Sequence, residues 1–107
     1  MDQLLRKRTA NGVIAVRAYL QEMFPNEIIE LIEPPDGEDR DWTTRSFWLY
    51  FDGPQRLYFT LQFLEQDPVV ISRSLHLWDL GQYIKSVGRV PIVVSIDGTK
   101  TLQTGQR

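Results

Sequence analysis

The sequence predicts one α+β domain, residues 1–107, in which two helices cover an antiparallel sheet of about five to six strands. The chain has 107 residues, 42% hydrophobic and 24% charged, which is the composition of an ordinary globular domain. Apolar residues recur at helical spacing in some segments and at alternate positions in others. Short turns join the strand segments, which favours antiparallel pairing. The predicted order is a helix, three or four strands, a helix and a β-hairpin.

The first predicted helix runs up to Phe24 and ends at Pro25, because proline lacks a backbone N–H and clashes with the preceding turn. Its apolar stripe consists of Val13, Val16, Leu20, Met23 and Phe24. Asn11 and Gly12 weaken its middle, so we expect the helix to kink or begin there. The β-branched segment 27–33 follows and is predicted as the first strand.

The clearest predicted strand pair spans residues 45–52 and 56–64, joined by a turn at 52–55. One face of this hairpin carries Phe47, Leu49, Phe51, Leu57, Phe59, Leu61 and Phe63. The other face carries Trp48, Tyr50, Tyr58, Thr60 and Gln62. Residues 69–73 are a candidate fourth strand because β-branched side chains dominate them.

The second predicted helix spans residues 75–87, with Ser74 as its N-cap and Gly88 just past its end. Residues 91–96 and 99–102 are predicted as a C-terminal hairpin. The Asp97-Gly98 pair between them is the strongest short hairpin signal, since both turn residues of a type I′ turn need positive φ. The tail 103–107 is expected to fray.

The composition disfavours several classes of protein. The absence of cysteine excludes disulfides, thiolate catalysis and cysteine-based zinc sites. A net charge of −2 and a pI near 5.3 disfavour a nucleic-acid partner, which usually requires a basic surface. No apolar run is long enough to cross a bilayer, and the N-terminus lacks the layout of a signal peptide. We therefore expect a cytoplasmic protein with no membrane partner.

No motif in the sequence predicts catalysis, a cofactor or a metal site. The single histidine, His76, begins the second predicted helix and has only Asp79 nearby among carboxylates. The loop 34–44 contains Asp36, Glu38, Asp39 and Asp41, but its glycine and its twelfth position do not fit the calcium loop of an EF-hand. A solvated acidic loop is the better interpretation. The sequence thus favours a protein that is not an enzyme.

One arrangement of carboxylates resembles a known family. A helix, three strands, a helix and a strand resemble the core of the PD-(D/E)XK nucleases, which place an acid on the second strand and Glu-x-Lys on the third. Asp52 matches the first acid, whereas Glu65-Gln66-Asp67 lacks the lysine that stabilises the attacking water or the transition state. The resemblance is one of element order, and order alone does not transfer an activity.

Trp48, Tyr50 and Tyr58 are the candidate functional residues, because they share the second face of the central hairpin. Tryptophan and tyrosine are the side chains that most often anchor protein interfaces. The alternative is that the second helix covers this face, with Trp78 packed there as part of a second core layer. The leading hypothesis is a non-enzymatic protein–protein interaction module of the adaptor, chaperone or inhibitor type. Its partner is another protein or a second copy in a homodimer.

The rival hypothesis is a nucleic-acid-binding or nuclease-like protein. Its candidate phosphate contacts are Arg6, Lys7, Arg8, Arg45, Arg56 and Arg73. These cations support the hypothesis only if they converge beside Trp48 and Tyr58. A small enzyme is the third hypothesis and needs a deep pocket that contains His76 or Asp52 with a partner carboxylate.

Overall fold

A computed structural model describes residues 3–32, 44–51 and 53–101, which form one mixed sheet with helices packed on it. The described helices are α1 (Gln3–Met23), α2 (Leu61–Leu64), α3 (Pro68–Leu77) and α4 (Leu80–Val87). The described strands are β1 (Ile28–Ile32), β2 (Thr44–Tyr50), β3 (Pro54–Thr60), β4 (Ile92–Ser95) and β5 (Gly98–Thr101). Their order in the sheet is β1-β2-β3-β4-β5. The acidic loop and the C-terminal tail lie outside the described residues, at 33–43 and 102–107.

Several predicted elements are confirmed. Helix α1 ends just before Phe24 and Pro25, and β1–β2 and β2–β3 pair antiparallel. Strands β4 and β5 form the C-terminal hairpin, although of its two turn residues only Gly98 has positive φ, at 125°. The α+β class is therefore correct.

The expected weakness of the first helix at Gly12 is not observed, since α1 continues through it without a break. Gly12 is buried, and a Cβ at this position would collide with the backbone of Leu64. The glycine therefore allows α1 to approach α2 closely, which explains its presence in a helix interior despite its low helix propensity.

The prediction of a purely antiparallel sheet is wrong, because β4 runs parallel to β3. Leu57 pairs with Ile92 and Phe59 with Val94 in this parallel ladder. Residues 61–91 separate β3 from β4. This connection is long enough for a helical crossover, which brings the chain back to the end of the sheet where β3 begins, so that β4 runs parallel to β3. The antiparallel prediction assumed short turns throughout and overlooked this long connection.

Two predicted strand segments are helical. The predicted strand 56–64 ends at Thr60, whose Oγ1 accepts the Phe63 N–H and caps α2. The candidate strand at 69–73 lies within α3, where Asp67 Oδ1 accepts the Val69 N–H and Pro68 occupies the first turn. An acidic cap followed by proline is a helix-start signal, and here it outweighs the β-branched composition.

The predicted second helix, 75–87, is two helices. Its proposed N-cap Ser74 lies inside α3, and His76 occupies the last turn of α3 instead of a helix start. The chain breaks at Trp78 and Asp79, and Asp79 takes the left-handed conformation at φ 53°. Gly88, at φ 73°, follows α4 as predicted. The described chain thus has four helices instead of two.

The core lies on one face of the sheet. The buried residues of all four helices join the inward-facing strand residues Phe47, Leu49, Leu57, Phe59, Ile92 and Val94 in one cluster. These strand residues alternate along β2, β3 and β4, so they point to the same side. The described helices therefore form a single layer, and no described element covers the opposite face of the sheet. No helix in the described ranges is long and apolar enough to cross a membrane.

Candidate functional site

The face of the sheet opposite the helices, called here the open face, carries the three predicted aromatic residues. The register between strands determines which residues lie on the open face, because residues that pair directly on neighbouring strands point to the same side of the sheet. The open face includes Ile28, Glu30, Ile32, Ser46, Trp48, Tyr50, Pro54, Arg56, Tyr58, Val93 and Lys100. Trp48 and Tyr58 are half-buried, Tyr50 is 38% exposed and Ile28 is 62% exposed. The alternative that a helix covers this face is not supported by the described residues.

Arg56 lies between two aromatic rings at the centre of the open face. Its guanidinium carbon is 5.1 Å from the ring centroid of Trp48 and 5.0 Å from that of Tyr58. Its Nε donates a hydrogen bond of 3.2 Å to Ser46 Oγ, and Ser46 is buried beneath it. Cation–π attraction to both rings and the hydrogen bond together hold this long side chain in one position. The rings and the arginine thus form a preorganised stack.

Tyr50 and Glu30 extend the stack toward β1. The rings of Trp48 and Tyr50 are stacked with centroids 6.3 Å apart. The Tyr50 hydroxyl donates a 3.2 Å hydrogen bond to Glu30 Oε1. Partial removal from water and this bond to a carboxylate raise the pKa of the Tyr50 phenol above its ordinary value. The phenol therefore remains a neutral hydrogen-bond donor at neutral pH.

The six candidate cations do not converge on the open face. Arg56 lies there, whereas Arg6, Lys7 and Arg8 are exposed on α1 and Arg73 is exposed on α3. Arg45 points to the helical side, where it is 5% exposed and its Nη1 donates 3.2 Å to Thr9 Oγ1. Arg8 pairs with Glu65 at 3.2 Å. The positions therefore do not form the phosphate-binding surface that the nucleic-acid hypothesis requires.

His76 lies on the helical side and joins α3 to α1. Its Nδ1 donates to the Ser72 carbonyl oxygen at 2.8 Å, and its Nε2 lies 3.4 Å from Glu22 Oε1. The ring also meets Tyr19 edge to face, with centroids 4.9 Å apart. The Tyr19 hydroxyl in turn accepts the Gly81 N–H at 2.8 Å. These contacts give His76 a role in fixing the helical layer.

The described residues do not place Glu65 where the nuclease pattern requires an acid. Strand β3 contains neither a carboxylate nor a lysine, and Glu65 follows α2 instead of a strand. Asp52 lies outside the described residues. Among the described residues, no group of three His, Cys, Asp or Glu side chains is positioned to hold a metal ion.

A small cavity lies at the end of α4, near the end of β2. It measures about 150 Å³ and is lined by Phe51, Ile84, Lys85, Gly88 and Arg89. The Lys85 Nζ lies 5.6 Å from the centroid of the Phe24 ring. His76 is not among its described lining residues.

Sequence reasoning missed several members of the open face. The charge pattern places Arg56 among the candidate phosphate contacts, although its position opposite Trp48 on the neighbouring strand indicates the stack. Alternation gives no role to Glu30, because the two faces of β1 are not sorted by polarity. It also gives none to Lys100 of β5, which pairs with Val93 of β4 on this face. No family model matches the chain, and no curated protein or solved structure was found to be similar to it.

Proposed function

We propose that this protein is a non-enzymatic protein–protein interaction module whose binding surface is the open face. The observation that carries the proposal is the Trp48–Arg56–Tyr58 stack on a sheet face without a described covering element. Tryptophan, tyrosine and arginine are the residues most enriched among those that dominate binding energy. All three types meet here within one cluster.

Preorganisation of the stack supports the proposal further. A free surface arginine loses side-chain entropy on binding, which costs about 0.5–1.5 kcal/mol for a side chain rich in rotamers. Arg56 has lost much of this freedom already, since two rings and Ser46 Oγ hold it. A partner can therefore contact its edge and the ring surfaces with a smaller entropic penalty.

The surroundings of the stack also suit a protein partner. Ile28 and Tyr50 supply exposed apolar surface at one end, and Glu30 supplies a carboxylate beside them. An apolar and aromatic centre with polar groups at its margin is the usual anatomy of a protein interface.

Removal of the Trp48 ring tests the proposal. The Trp48→Ala variant and the wild-type chain serve as baits for capture from cells that express the protein. The Leu77→Ala variant is the matched control, because Leu77 is 78% exposed on the helical side. We expect wild type and Leu77→Ala to retain the same partner, including added copies of the chain itself, and Trp48→Ala to lose it. Equal retention by all three would contradict the proposal.

Single-stranded nucleic acid is the second candidate, because aromatic residues on an open sheet face are a common platform for stacked bases. Glu30 on the same face and the scattered cations disfavour it. Titration of a fluorescent mixed-sequence oligonucleotide by anisotropy decides between the two. We expect no binding at physiological salt, and Trp48-dependent binding would favour nucleic acid instead.

A further inference from the structure

We infer that the partner of the open face is a second copy of this chain, packed face to face about a two-fold axis parallel to β2. This inference rests on the proposed function, since it names the occupant of the same surface. It is carried by one row of residues across three neighbouring strands. Glu30 pairs with Trp48, and Trp48 pairs with Arg56. A carboxylate and a guanidinium thus flank the tryptophan at equal spacing on opposite sides, about 4.8 Å from strand to strand.

One two-fold rotation brings the opposite charges of this row together between the two copies. A two-fold axis that runs along β2, above Trp48, exchanges the two sides of the row between the copies. Glu30 of each copy then faces Arg56 of the other copy. Two ion pairs therefore flank a contact between the two Trp48 side chains. An axis across the strands through the same row would instead oppose Glu30 to Glu30 and Arg56 to Arg56. The charge pattern therefore selects the first arrangement.

The neighbouring rows are compatible with the same axis. In one row Ile28, Tyr50 and Pro54 are in register, so Ile28 meets Pro54 of the second copy. In the other row Ile32 is on β1 and Tyr58 on β3, with Ser46 between them, so Ile32 meets Tyr58 of the second copy. Ser46 and Tyr50 lie on β2 and each face their own counterpart, and the contacts on either side of them are apolar or aromatic. None of these contacts opposes two like charges.

The two ionic groups are free to make these intermolecular pairs. Arg56 donates to Ser46 and contacts two rings, and within the described part of the chain no carboxylate lies within ion-pair distance of it. Glu30 accepts from the Tyr50 hydroxyl and is exposed. Each group therefore has a fixed position and remaining capacity for a charged partner.

The size of the face indicates a weak, transient dimer. An axis along β2 opposes β1, β2 and β3 of one copy to β3, β2 and β1 of the other. Three strands spaced about 4.8 Å apart and roughly 20 Å long give about 300 Å² per copy. The total of roughly 600 Å² is smaller than that of stable specific interfaces and lies in the range of weak contacts. The dimer must therefore be sought over a wide range of protein concentration.

Charge reversal tests the arrangement directly. Sedimentation velocity from about 1 µM to about 1 mM compares wild type with Glu30→Arg, with Arg56→Glu and with the doubly reversed chain. Each single variant opposes like charges at both pairs, so we expect its dimerisation to weaken by about tenfold or more. An equimolar mixture of the two single variants restores opposite charges at both positions and should re-form a heterodimer. The doubly reversed chain should dimerise with itself. Circular dichroism checks that every variant is folded.

The possible results separate this inference from the proposed function. Rescue in the mixture and in the double variant supports the face-to-face dimer. A wild-type chain that remains monomeric at 1 mM, or a dimer that charge reversal leaves unchanged, overturns it. Trp48-dependent capture of a different protein, with no self-association, overturns this inference while the proposed function stands. Loss of every Trp48-dependent interaction overturns both.

Discussion

The two faces of the central hairpin carry equally large side chains but have different environments. On the helical side Phe47 and Phe59 are fully buried, with their rings edge to face at 5.9 Å. On the open face Trp48 and Tyr58 are half-buried, although they lie on the same two strands. The apolar rings of the first pair contact helices, whereas Arg56 separates the rings of the second pair.

This difference shows that the alternation of side chains along a strand does not indicate which face of the sheet is buried. Alternation assigns side chains to two faces, but both faces of this hairpin are rich in aromatic residues. The polar side chains of the hairpin on the helical side, Arg45 and Gln55, lie near the strand ends and are buried with hydrogen-bond partners. The open face carries an arginine, two phenols, an indole N–H and a carboxylate. Burying such groups without partners is costly, so these groups mark the face that remains accessible to water or to a partner.

The largest expected difference between the faces is in stability. Phe59→Ala should lower the free energy of unfolding by about 3–5 kcal/mol, because it leaves a cavity between Phe47 and Phe63. Trp48→Ala should cost only about 1–2 kcal/mol in the monomer, through the loss of cation–π and cross-strand contacts. Denaturant unfolding at low protein concentration measures both values. Equal losses would show that Trp48 is part of a core.

Substitution of Gly12 tests whether the helical side is tightly packed. Gly12→Ala should destabilise the protein by about 1–3 kcal/mol, because the added Cβ meets the Leu64 backbone and separates α1 from α2. Asn11→Ala is the control, since Asn11 is exposed on the same helix. Thermal unfolding should show a lower Tm for Gly12→Ala only. A stabilised Gly12→Ala variant would mean that the two helices are not in close contact.

The cap of α3 should contribute less. Asp67→Ala removes the acceptor for the Val69 N–H and should cost about 1 kcal/mol. Asp67→Asn, which keeps an oxygen at this position, should recover most of the loss. Urea unfolding of the two variants checks this order. An equal loss in both would argue against the cap and for a role of the charge itself.

The smallest expected effect is a pH dependence at Tyr19, on the helical side. Burial raises the pKa of Tyr19 above its ordinary value of 10.0, against the lowering effect of its hydrogen bond from Gly81. The folded chain therefore keeps this proton when the unfolded chain has lost it. Stability should accordingly fall as pH rises above about 10. Tyr19→Phe should have a shallower decline between pH 9 and about 11, by urea unfolding. If the stability of Tyr19→Phe falls with pH as steeply as that of the wild type, Tyr19 is not the source of this pH dependence.

The sequence predicted the elements whose signals are local. The stop at Pro25, the β2–β3 alternation and the Asp97-Gly98 turn each depend on neighbouring residues. The parallel β3–β4 pair was not predictable in this way, because it depends on how a long crossover packs. The strand prediction for residues 69–73 is wrong because the Asp67-Pro68 helix start outweighs their β-branched composition.

The candidate site was predicted in part. Trp48, Tyr50 and Tyr58 were placed on one face by alternation, and the structure agrees with that placement. Whether the face is open depends on where helices pack, which alternation does not specify. The contribution of Arg56 depends on the register of the β2–β3 hairpin, which a short turn sets locally. The contribution of Glu30 depends on the register between β1 and β2, which residues 33–43 separate, so it requires the three-dimensional structure.

Hydroxyl-radical footprinting at increasing protein concentration tests both the open face and its self-association, because it reports the accessibility of individual side chains. We expect Trp48, Tyr50 and Tyr58 to be oxidised readily in dilute solution and to become protected as the concentration rises. Leu77, exposed on the helical side, should be oxidised equally at every concentration. Protection of Trp48 and Tyr58 equal to that of Phe47 at the lowest concentration would contradict the open face, and unchanged oxidation up to about 1 mM would contradict self-association through it.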